Sequence, residues 1–453
     1  MSIPGLGQIP TQSLLQPAPS SSRTVVLRPG WEWRFEIPFD ASVVVKVLSG
    51  TAEKDGIELA PRNAYTFRSA KSRILTWHGC DLQIEGSCTE HVAEYAGLVD
   101  NPANAVLNLH AELKDMRAEA ASERREGPRV LIAGPANVGK STVARTLASY
   151  ATKQGHQPIV VNMDPQEGML TLAGSLSAAV FATIMDPESS DGWGSTPTSG
   201  PSSVPVKLPL VFHYGREYAE EEAEFYRRLT ARMATAVSSR LSEDPDAKTS
   251  GIVVDTMGVA EESKEGVDLL VHIADELSVN VIVVVGSNSI YGELSRRFAS
   301  EETSLGEPVH VVHLDKSGGV VARDATYMQR MREAAIKEYF FGDVRRALSP
   351  QIQPVDFGSL VIYKLSDCYS GRSDLVREEP SSVMEHWTLA IMHASRSDSP
   401  EIVREATVIG YVYVSDVDVE RQKVKLLSPV PGRVGDRPMI WGRWPEPYIN
   451  LLG

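Results

Sequence analysis

The chain has 453 residues, of which 42% are hydrophobic and 23% are charged, and its net charge is −14. This length predicts two or three domains with buried cores, and the composition excludes a wholly disordered chain. Attraction to nucleic-acid phosphates depends on clustered Lys and Arg, so an acidic chain is a poor nonspecific nucleic-acid binder. Any RNA contact is therefore expected to be weak or indirect, through a local basic patch or partner subunits.

Cysteine content and hydropathy define the expected compartment. The three cysteines, Cys80, Cys88 and Cys368, contain no CxxC pair and exclude a disulfide framework. No stretch approaches the ~20 apolar residues of a membrane helix. Residues 1–22 carry no charged side chain and lack the basic start of a signal peptide. We therefore expect an intracellular protein without a membrane partner, and a flexible start at 1–22.

The next part of the chain is predicted to be a β domain followed by a helix. Residues 31–37 alternate apolar and charged side chains, which is typical of a half-buried strand, and residues 43–48 and 74–77 predict further strands. Short strands of this kind favour a small sandwich or barrel over residues 23–100. Residues 101–127 read as a connecting helix that Gly127 and Pro128 end, because proline disfavours helical geometry in the residue before it.

The central part, residues 128–345, has an α/β pattern. Apolar β-branched runs at 130–133, 158–162, 252–255, 281–285 and 309–312 alternate with helical segments. Runs that are apolar throughout are typical of a parallel sheet covered on both faces. A Pro/Ser/Gly-rich segment at 187–206 predicts a flexible surface insertion. Residues 346–453 return to alternating strand patterns, which predict a third, β-rich domain.

One motif identifies a ligand class. The run Gly134-Pro135-Ala136-Asn137-Val138-Gly139-Lys140-Ser141 fits G-x-x-x-x-G-K-[ST] and lies between a predicted buried strand and a helix. In such a loop the backbone N–H groups wrap a phosphate and the helix N-terminus faces its negative charge. Lys140 is expected to neutralise the β- and γ-phosphates, Ser141 to hold Mg²⁺, and Thr142 to contact the α-phosphate side.

Two carboxylates at strand ends are candidates beside this loop. Asp255 follows four apolar residues and is expected to support Mg²⁺, the alternative being a capping residue. Residues 255–258 also fit the D-x-x-G pattern of GTPases, but the chain has no N-K-x-D run to read guanine, which favours adenine. Asp164 follows the second strand and could serve as a general base, although an Asp-Pro turn is nearly as good an interpretation.

A glycine-containing segment at 317–321 precedes a basic helix with Arg323, Arg330 and Arg332. This arrangement predicts a hinged lid whose arginines stabilise a transferring phosphate, or else a solvated charged helix.

Several stretches together resemble a known family. They lie at 48–53, 76–80, 134–141, 212–215, 316–321 and 338–342. In these stretches the chain is similar to the eukaryotic polynucleotide 5′-hydroxyl kinase family of pre-mRNA 3′-end processing, in the fungal branch that supplies the ATP-binding subunit of cleavage factor IA. The resemblance implies an α/β fold with a central P-loop NTPase domain and a mainly parallel sheet. It also implies an N-terminal β-sandwich and a small C-terminal β-rich domain.

The same resemblance implies specific nucleotide contacts. Glu32 and Lys71 fall on family positions where the N-terminal domain holds the adenine side of ATP. The phosphate contacts carry over onto residues 137–142, namely Asn137, Val138, Gly139, Lys140, Ser141 and Thr142, after Gly134.

The chain departs from active family members on the RNA side. The family motif Asp-x-Gly-Gln-Gly is here Asp164-Pro165-Gln166-Glu167-Gly168. A family tryptophan that wedges against RNA bases is replaced by Val259, and an aliphatic side chain cannot supply base stacking of roughly 1–3 kcal/mol. Two lid arginines, Arg323 and Arg332, are retained. The nucleotide site is thus expected to be intact and the RNA acceptor site eroded.

The leading hypothesis is an ATP- and Mg²⁺-binding structural subunit of the nuclear pre-mRNA cleavage factor. The implied partners are the scaffold subunit that binds the RNA polymerase II tail and other 3′-end processing subunits. The second hypothesis is a working RNA 5′-hydroxyl kinase, in which Asp164 accepts the hydroxyl proton and Arg323 and Arg332 stabilise the transition state. A switch GTPase or small-molecule kinase is disfavoured by the missing guanine motif.

Overall fold

A computed structural model describes residues 22–189, 192–194, 209–343, 347–367, 373–432, 435–446 and 449–452. The predicted flexible start at 1–22, apart from Ser22, lies outside these residues, as does most of the predicted insertion at 187–206. Within that insertion Trp193 is described, and it is buried with its ring 5.6 Å from that of Phe181. No helix in the described part of the chain is long and apolar enough to span a bilayer.

The N-terminal strands form a β-sandwich of two packed sheets. The strands are β1 (Ser22–Leu27), β2 (Glu32–Glu36), β3 (Ser42–Gly50), β4 (Ala52–Lys54), β5 (Ile57–Leu59), β6 (Ala64–Arg68), β7 (Lys71–Leu75), β8 (Cys80–Glu85) and β9 (Thr89–Ala93). One sheet has the order β1-β8-β3-β6 and the other β5-β4-β7-β2-β9. Alternate side chains of β3, Val43, Val45 and Val47, are fully buried between them, as period-two patterning requires.

A long helix joins this sandwich to the central domain. Helix α1 spans Ala103–Glu123 and packs against two helices of the central domain, Lys140–Lys153 and Pro245–Ser250. The guanidinium of Arg117 is buried and donates a hydrogen bond to the Ser250 carbonyl oxygen at 2.9 Å. The helix therefore fixes one side of the central domain.

The central domain is a seven-stranded sheet covered by helices. Its elements are β10 (Arg129–Ala133), α2 (Lys140–Lys153), β11 (Ile159–Met163), β12 (Ser175–Val180), β13 (Leu210–His213), α3 (Ala223–Glu243), α4 (Pro245–Ser250), β14 (Ile252–Thr256), α5 (Lys264–Glu276), β15 (Val281–Val285), α6 (Asn288–Arg297), β16 (His310–Leu314) and α7 (Ala325–Phe341). The strand order is β13-β12-β11-β14-β10-β15-β16. Strands β11, β14, β10, β15 and β16 pair in parallel, whereas β12 and β13 pair antiparallel at one edge.

The mainly parallel sheet predicted from the sequence is confirmed, and the antiparallel pair β12–β13 is an addition that the sequence did not indicate. Strands β10, β11, β14 and β15 are buried along their whole length, which explains their continuous apolar character. Since parallel strands end at the same edge, the loops after β10, β11 and β14 meet at one place.

The C-terminal elements form a second seven-stranded sheet with one short helix. They are β17 (Gln351–Asp356), β18 (Ile362–Leu365), β19 (Leu375–Glu378), β20 (Thr388–Met392), α8 (Pro400–Glu405), β21 (Val408–Asp418), β22 (Lys423–Ser428) and β23 (Met439–Trp441), in the order β17-β22-β21-β20-β23-β18-β19. A buried polar cluster ties this domain to the central one. In it the Arg404 guanidinium donates to the Glu222 carboxylate at 2.6 Å, and Ser373 also donates to Glu222.

Candidate nucleotide-binding site

The P-loop begins at the carboxyl end of β10 and leads directly into α2. Gly134 has φ 145°, and a Cβ atom there would lie 2.5 Å from the Val285 carbonyl oxygen. Gly139, just before the helix, has φ 98°, and Asn137 has φ 56°. These conformations let the backbone curl around a small space, and Gly134 cannot be replaced without moving β15 or the loop.

The charged end of Lys140 lies over this loop, and the hydroxyl of Ser141 faces Asp255. Lys140 Nζ donates a hydrogen bond to the Pro135 carbonyl oxygen at 2.9 Å. Asp255 is buried at the end of β14, and its Oδ1 accepts no hydrogen bond from any residue that the structure describes. Burial, followed by repulsion from Glu167, raises the pKa of Asp255 to about 6, while a hydrogen bond from Ser141 opposes that shift.

These residues fit a magnesium–phosphate ligand. The described residues contain no cluster of three or more His, Cys, Asp or Glu side chains that could hold a metal on its own. A Mg²⁺ ion does not need one, because it commonly takes one or two protein oxygens and completes its shell with phosphate and water. The unpartnered oxygen of Asp255 beside Ser141, and the glycine-lined loop, match that requirement.

Asp164 directly follows β11, on the same side of the P-loop strand β10 as Asp255 and one strand further away. Its Oδ1 accepts a hydrogen bond from the Gln166 backbone N–H at 2.9 Å. Burial at the floor of the cleft, and then repulsion from Glu167, raises the pKa of Asp164 to about 7. The carboxyl is therefore partly protonated near neutral pH.

The lid predicted from residues 317–321 and the basic segment after them lies over the P-loop, and its helix is α7. The Arg323 backbone N–H donates to Asn137 Oδ1 at 3.2 Å, and the Arg323 guanidinium donates to Glu167 Oε1 at 3.1 Å. Helix α7 starts just after Asp324, whose side chain accepts from the Tyr327 backbone N–H at 2.7 Å. The sequence-predicted Arg323 thus lines the cleft, paired with a carboxylate.

The start of α7 also contacts the N-terminal sandwich, through a group that we call the latch: Phe39, Ser69, Lys71 and Tyr327. The Tyr327 ring lies 5.2 Å from the Phe39 ring, and Lys71 Nζ lies 4.8 Å from the Tyr327 ring centre. The Tyr327 hydroxyl donates to the Ser69 carbonyl oxygen at 3.3 Å. The predicted adenine-side residue Lys71 therefore lines the cleft and also holds the lid.

The sandwich contributes two arginines to the cleft wall that sequence reasoning missed. Glu32 is fully buried, and its two carboxylate oxygens pair with Arg34 at 3.0 Å and with Arg73. Arg34 also donates to the Tyr95 hydroxyl at 2.7 Å, and both guanidiniums line the cleft. The Glu32 side chain thus lies beneath Arg34 and Arg73, and its carboxylate holds their guanidiniums in the cleft wall.

The second lid arginine is directed elsewhere. Arg332 pairs with Glu446 of the C-terminal domain, and its guanidinium stacks 4.3 Å from the Trp444 ring. The Trp444 indole N–H donates to the Pro165 carbonyl oxygen at 3.3 Å. Arg332 and the loop after β11 are therefore packed against the C-terminal domain. Val259 is fully buried, with its backbone N–H bonded to the Gly134 carbonyl oxygen.

Together these elements enclose a cleft of about 1960 Å³, including its open mouth, between the sandwich, α1, the P-loop and the lid. Lys140 and Arg323 from the central domain face Arg34, Lys71 and Arg73 from the sandwich across it. Carboxylates such as Asp55 and Glu167 and apolar side chains such as Phe35 also line the cleft, which therefore suits a polyanion with a metal ion and a partly apolar end. The fold and the loop geometry define the protein as a P-loop nucleotide-binding protein.

Comparison with known proteins defines the family. Three family models match: the N-terminal beta-sandwich domain of polyadenylation factor at 26–120, the mRNA cleavage and polyadenylation factor CLP1 P-loop at 134–342, and the pre-mRNA cleavage complex II protein Clp1 at 348–446. The mRNA cleavage and polyadenylation factor CLP1 of Pyricularia oryzae is 48% identical over 463 aligned residues that cover 100% of both chains. The chain belongs to the Clp1 family of mRNA cleavage and polyadenylation factors.

Solved structures agree with this assignment. The wild-type Clp1p–Pcf11p complex contains a chain with a TM-score of 0.84 and 29% identity, covering 94% of this chain and 98% of that one. A second structure concerns the extended Pcf11p–Clp1p interface and ATP loss in a point mutant, with a TM-score of 0.84, 29% identity and coverage of 94% and 99%. The predicted family and the three-part fold are confirmed.

Proposed function

We propose that the chain is an ATP-binding structural subunit of a nuclear pre-mRNA cleavage factor, required for cleavage and polyadenylation of mRNA 3′ ends. The names of its relatives support this role, since they are mRNA cleavage and polyadenylation factors. A neighbouring Clp1p was solved in complex with Pcf11p. We therefore propose a Pcf11-like scaffold subunit as the direct partner, the one that binds the RNA polymerase II tail, together with other 3′-end processing subunits.

The proposed ligand is ATP with Mg²⁺. Lys140 would neutralise the β- and γ-phosphates, the backbone from Asn137 to Thr142 would donate to phosphate oxygens, and Ser141 with Asp255 would hold Mg²⁺. The metal, when bound, would offset phosphate charge. The side chains of Arg34, Lys71 and Arg73 would face the nucleoside end from the sandwich.

The observation that carries the structural role is that two domains and the lid jointly build the cleft. A ligand that binds only the assembled state stabilises that state, by about 4 kcal/mol when its concentration is 1,000 times Kd. Bound ATP would thus hold the sandwich and the central domain in one relative position. A partner that docks on the central domain would then meet a fixed surface.

A working RNA kinase is the second candidate, and one observation favours it. The pKa of Asp164, raised to about 7, suits a general base at neutral pH. The ion pairs of the two lid arginines argue against kinase activity, because Arg323 is paired with Glu167 and Arg332 with Glu446. The C-terminal domain also covers Pro165 through Trp444. These contacts favour the structural role.

Two measurements separate the candidates. Purified protein is incubated with γ-labelled ATP and a 5′-hydroxyl RNA oligonucleotide, and label on the RNA is quantified. We expect no transfer, whereas transfer that Lys140→Ala abolishes would overturn the structural proposal.

The second measurement is nucleotide retention and partner binding. Heat-released nucleotide from the purified protein is identified by chromatography, and co-purification with the Pcf11-like subunit is measured. Lys140→Ala should lose nucleotide and weaken co-purification, while Lys114→Ala, which removes an exposed charge on α1, should change neither. Full co-purification of a nucleotide-free Lys140→Ala protein would contradict a structural role for ATP.

A further inference from the structure

A buried arginine follows the P-loop by one helical turn. Arg145 lies on α2, is 7% exposed, and lines the cleft. Its Nη2 lies 3.4 Å from Thr142 Oγ1, to which it donates, and its Nε lies 3.5 Å from Asp55 Oδ2. The guanidinium therefore joins the last residue of the phosphate-binding run to a carboxylate of another domain.

Asp55 is an unusual residue for a domain surface. It lies in the turn between β4 and β5 of the sandwich, and its side chain is buried against α2. Lys54 Nζ lies 3.5 Å from its Oδ2. Burial acts to raise the pKa of Asp55, but Lys54 and Arg145 outweigh it and hold the pKa below its usual value. The sandwich thus places one ionised carboxylate, that of Asp55, next to Arg145.

Packing from Gly192 and Trp193 covers another side of Arg145. A Cβ atom on Gly192 would lie 2.6 Å from Arg145 Cδ, so the backbone at Gly192 lies directly on the side chain. The guanidinium also lies 5.9 Å from the Trp193 ring centre. Asp55, Gly192 and Trp193 thus surround the Arg145 side chain, and the hydroxyl of Thr142 lies beside its guanidinium.

We infer that Arg145 is a positioning residue for the α-phosphate: it orients the Thr142 hydroxyl toward that group and couples it to the sandwich through Asp55. The inference rests on the nucleotide site proposed above. A cation that donates to a hydroxyl leaves the hydroxyl proton free to bond to an anion. Lys140 serves the β- and γ-phosphates, whereas Arg145 serves the phosphate that ATP, ADP and AMP share.

This division of roles gives a specific test. Nucleotide-free full-length protein is titrated calorimetrically with ATP, ADP and AMP in Mg²⁺ buffer. Arg145→Met should weaken all three by the same factor, about tenfold, as expected for one hydrogen bond involving a charged group. Lys140→Ala should weaken ATP and ADP but not AMP. Arg240→Met is the matched control, because Arg240 pairs with Asp244 at 2.8 Å on α3, and it should change no affinity.

Two further variants keep the test decisive. Thr142→Val removes only the hydroxyl and should reproduce the uniform loss, and the double variant with Arg145→Met should lose no more. Arg145→Lys keeps the charge but not the forked donor geometry, and should recover part of the affinity. If Arg145→Met does not fold, Thr142→Val and Arg145→Lys give the answer.

The outcomes are distinguishable. Unchanged AMP affinity in Arg145→Met or in Thr142→Val would overturn the inference, as would a lower melting temperature with unchanged affinities, which indicates a purely structural residue. If the wild-type protein binds no ATP, the proposed function fails as well. Wild-type ATP binding with unaffected Arg145→Met overturns only the role of Arg145.

Discussion

Removal of the Tyr327 side chain should accelerate ATP release, because this residue is the centre of the latch between the lid and the sandwich. Tyr327→Ala removes the ring contact with Phe39 at 5.2 Å, the contact with Lys71 at 4.8 Å and the hydrogen bond to Ser69 at 3.3 Å. None of these atoms belongs to the P-loop, so the variant leaves the phosphate site in place.

The magnitude follows from the three contacts. An aromatic pair contributes about 0.5–1.5 kcal/mol, a partly exposed cation–π contact about 0.5–1 kcal/mol, and a hydrogen bond about 0.5–1.5 kcal/mol. Because Tyr327 is only half-buried, we take a total of about 2 kcal/mol. If nucleotide leaves when the lid opens, this corresponds to roughly thirtyfold faster release.

The assay is displacement of a fluorescent ATP analogue by excess ATP in a stopped-flow instrument. Tyr327→Phe is the matched control: it keeps the ring contacts, loses only the long hydrogen bond, and should release nucleotide about two- to fivefold faster than wild type. If Tyr327→Ala releases the nucleotide at the wild-type rate, the latch does not hold the lid closed. Equal rates in the two variants would show that ring packing is not what holds the lid.

The boundary between the central and C-terminal domains supports two further predictions. Burial, followed by repulsion from Arg404 and Arg216, lowers the pKa of His213 from 6.5 to about 4. Between these values the unfolded chain binds a proton that the native state does not, so the His213 contribution to the free energy of unfolding falls by about 2 kcal/mol between pH 7.5 and pH 5. His213→Phe should reduce the pH dependence of the urea midpoint by that amount. Glu222→Gln should cost about 3 kcal/mol in the same assay, because it leaves the buried guanidinium of Arg404 without its carboxylate.

Both stability predictions can be refuted. An unchanged pH slope in His213→Phe would assign the slope to other histidines, such as His110, whose pKa burial also lowers to about 4. If the free energy of unfolding of Glu222→Gln equals that of the wild type, water must hydrogen-bond the Arg404 guanidinium in place of the carboxylate. Glu224→Gln, an exposed carboxylate at the start of α3, is the control and should be neutral.

The phosphate end of the site could be predicted from the sequence because its parts are contiguous. A buried strand, a glycine loop and a helix follow one another between Arg129 and Lys153, and local geometry alone brings Gly134, Lys140 and Ser141 together. The strand-end position of Asp255 is also local information, since a carboxylate after a buried strand lies at the carboxyl edge of the sheet.

The part of the cleft proposed to face the nucleoside could not be predicted from residue patterns, because its lining depends on how two domains pack. Arg34 and Arg73 look like ordinary charges on half-exposed strands, and Glu32 looks like another. In the structure Glu32 is fully buried, since both of its oxygens are satisfied by these arginines. The one available signal was the spacing of Glu32 and Arg34, which places both on the same face of β2.

Strand β12 was missed for a different reason. Residues 175–180 are buried throughout and carry mostly Ser and Ala side chains, so they do not form a β-branched run. Their pairing with β11 places the chain next to the loop that starts at Asp164, and Ser177 Oγ donates to the Met169 carbonyl oxygen at 2.9 Å. Tertiary contacts define this strand rather than local preference.

Glu167 interacts with the lid arginine and with both strand-end carboxyls of the candidate site. Its carboxylate pairs with Arg323 at 3.1 Å and contributes to the raised pKa values of Asp164 and Asp255. Removing that charge should free Arg323 for phosphate and lower both pKa values, so Glu167→Gln should bind ATP about three- to tenfold more tightly at pH 7. The advantage over wild type should grow below pH 7, where the wild-type Asp255 carboxyl increasingly holds a proton that Mg²⁺ must displace. Glu217→Gln is the matched control, because the Glu217 carboxylate accepts a hydrogen bond from Gln166 of the same loop, and its described hydrogen bonds do not involve the lid. Equal or weaker ATP binding by Glu167→Gln in calorimetric titrations would show that Glu167 does not compete with the nucleotide for Arg323.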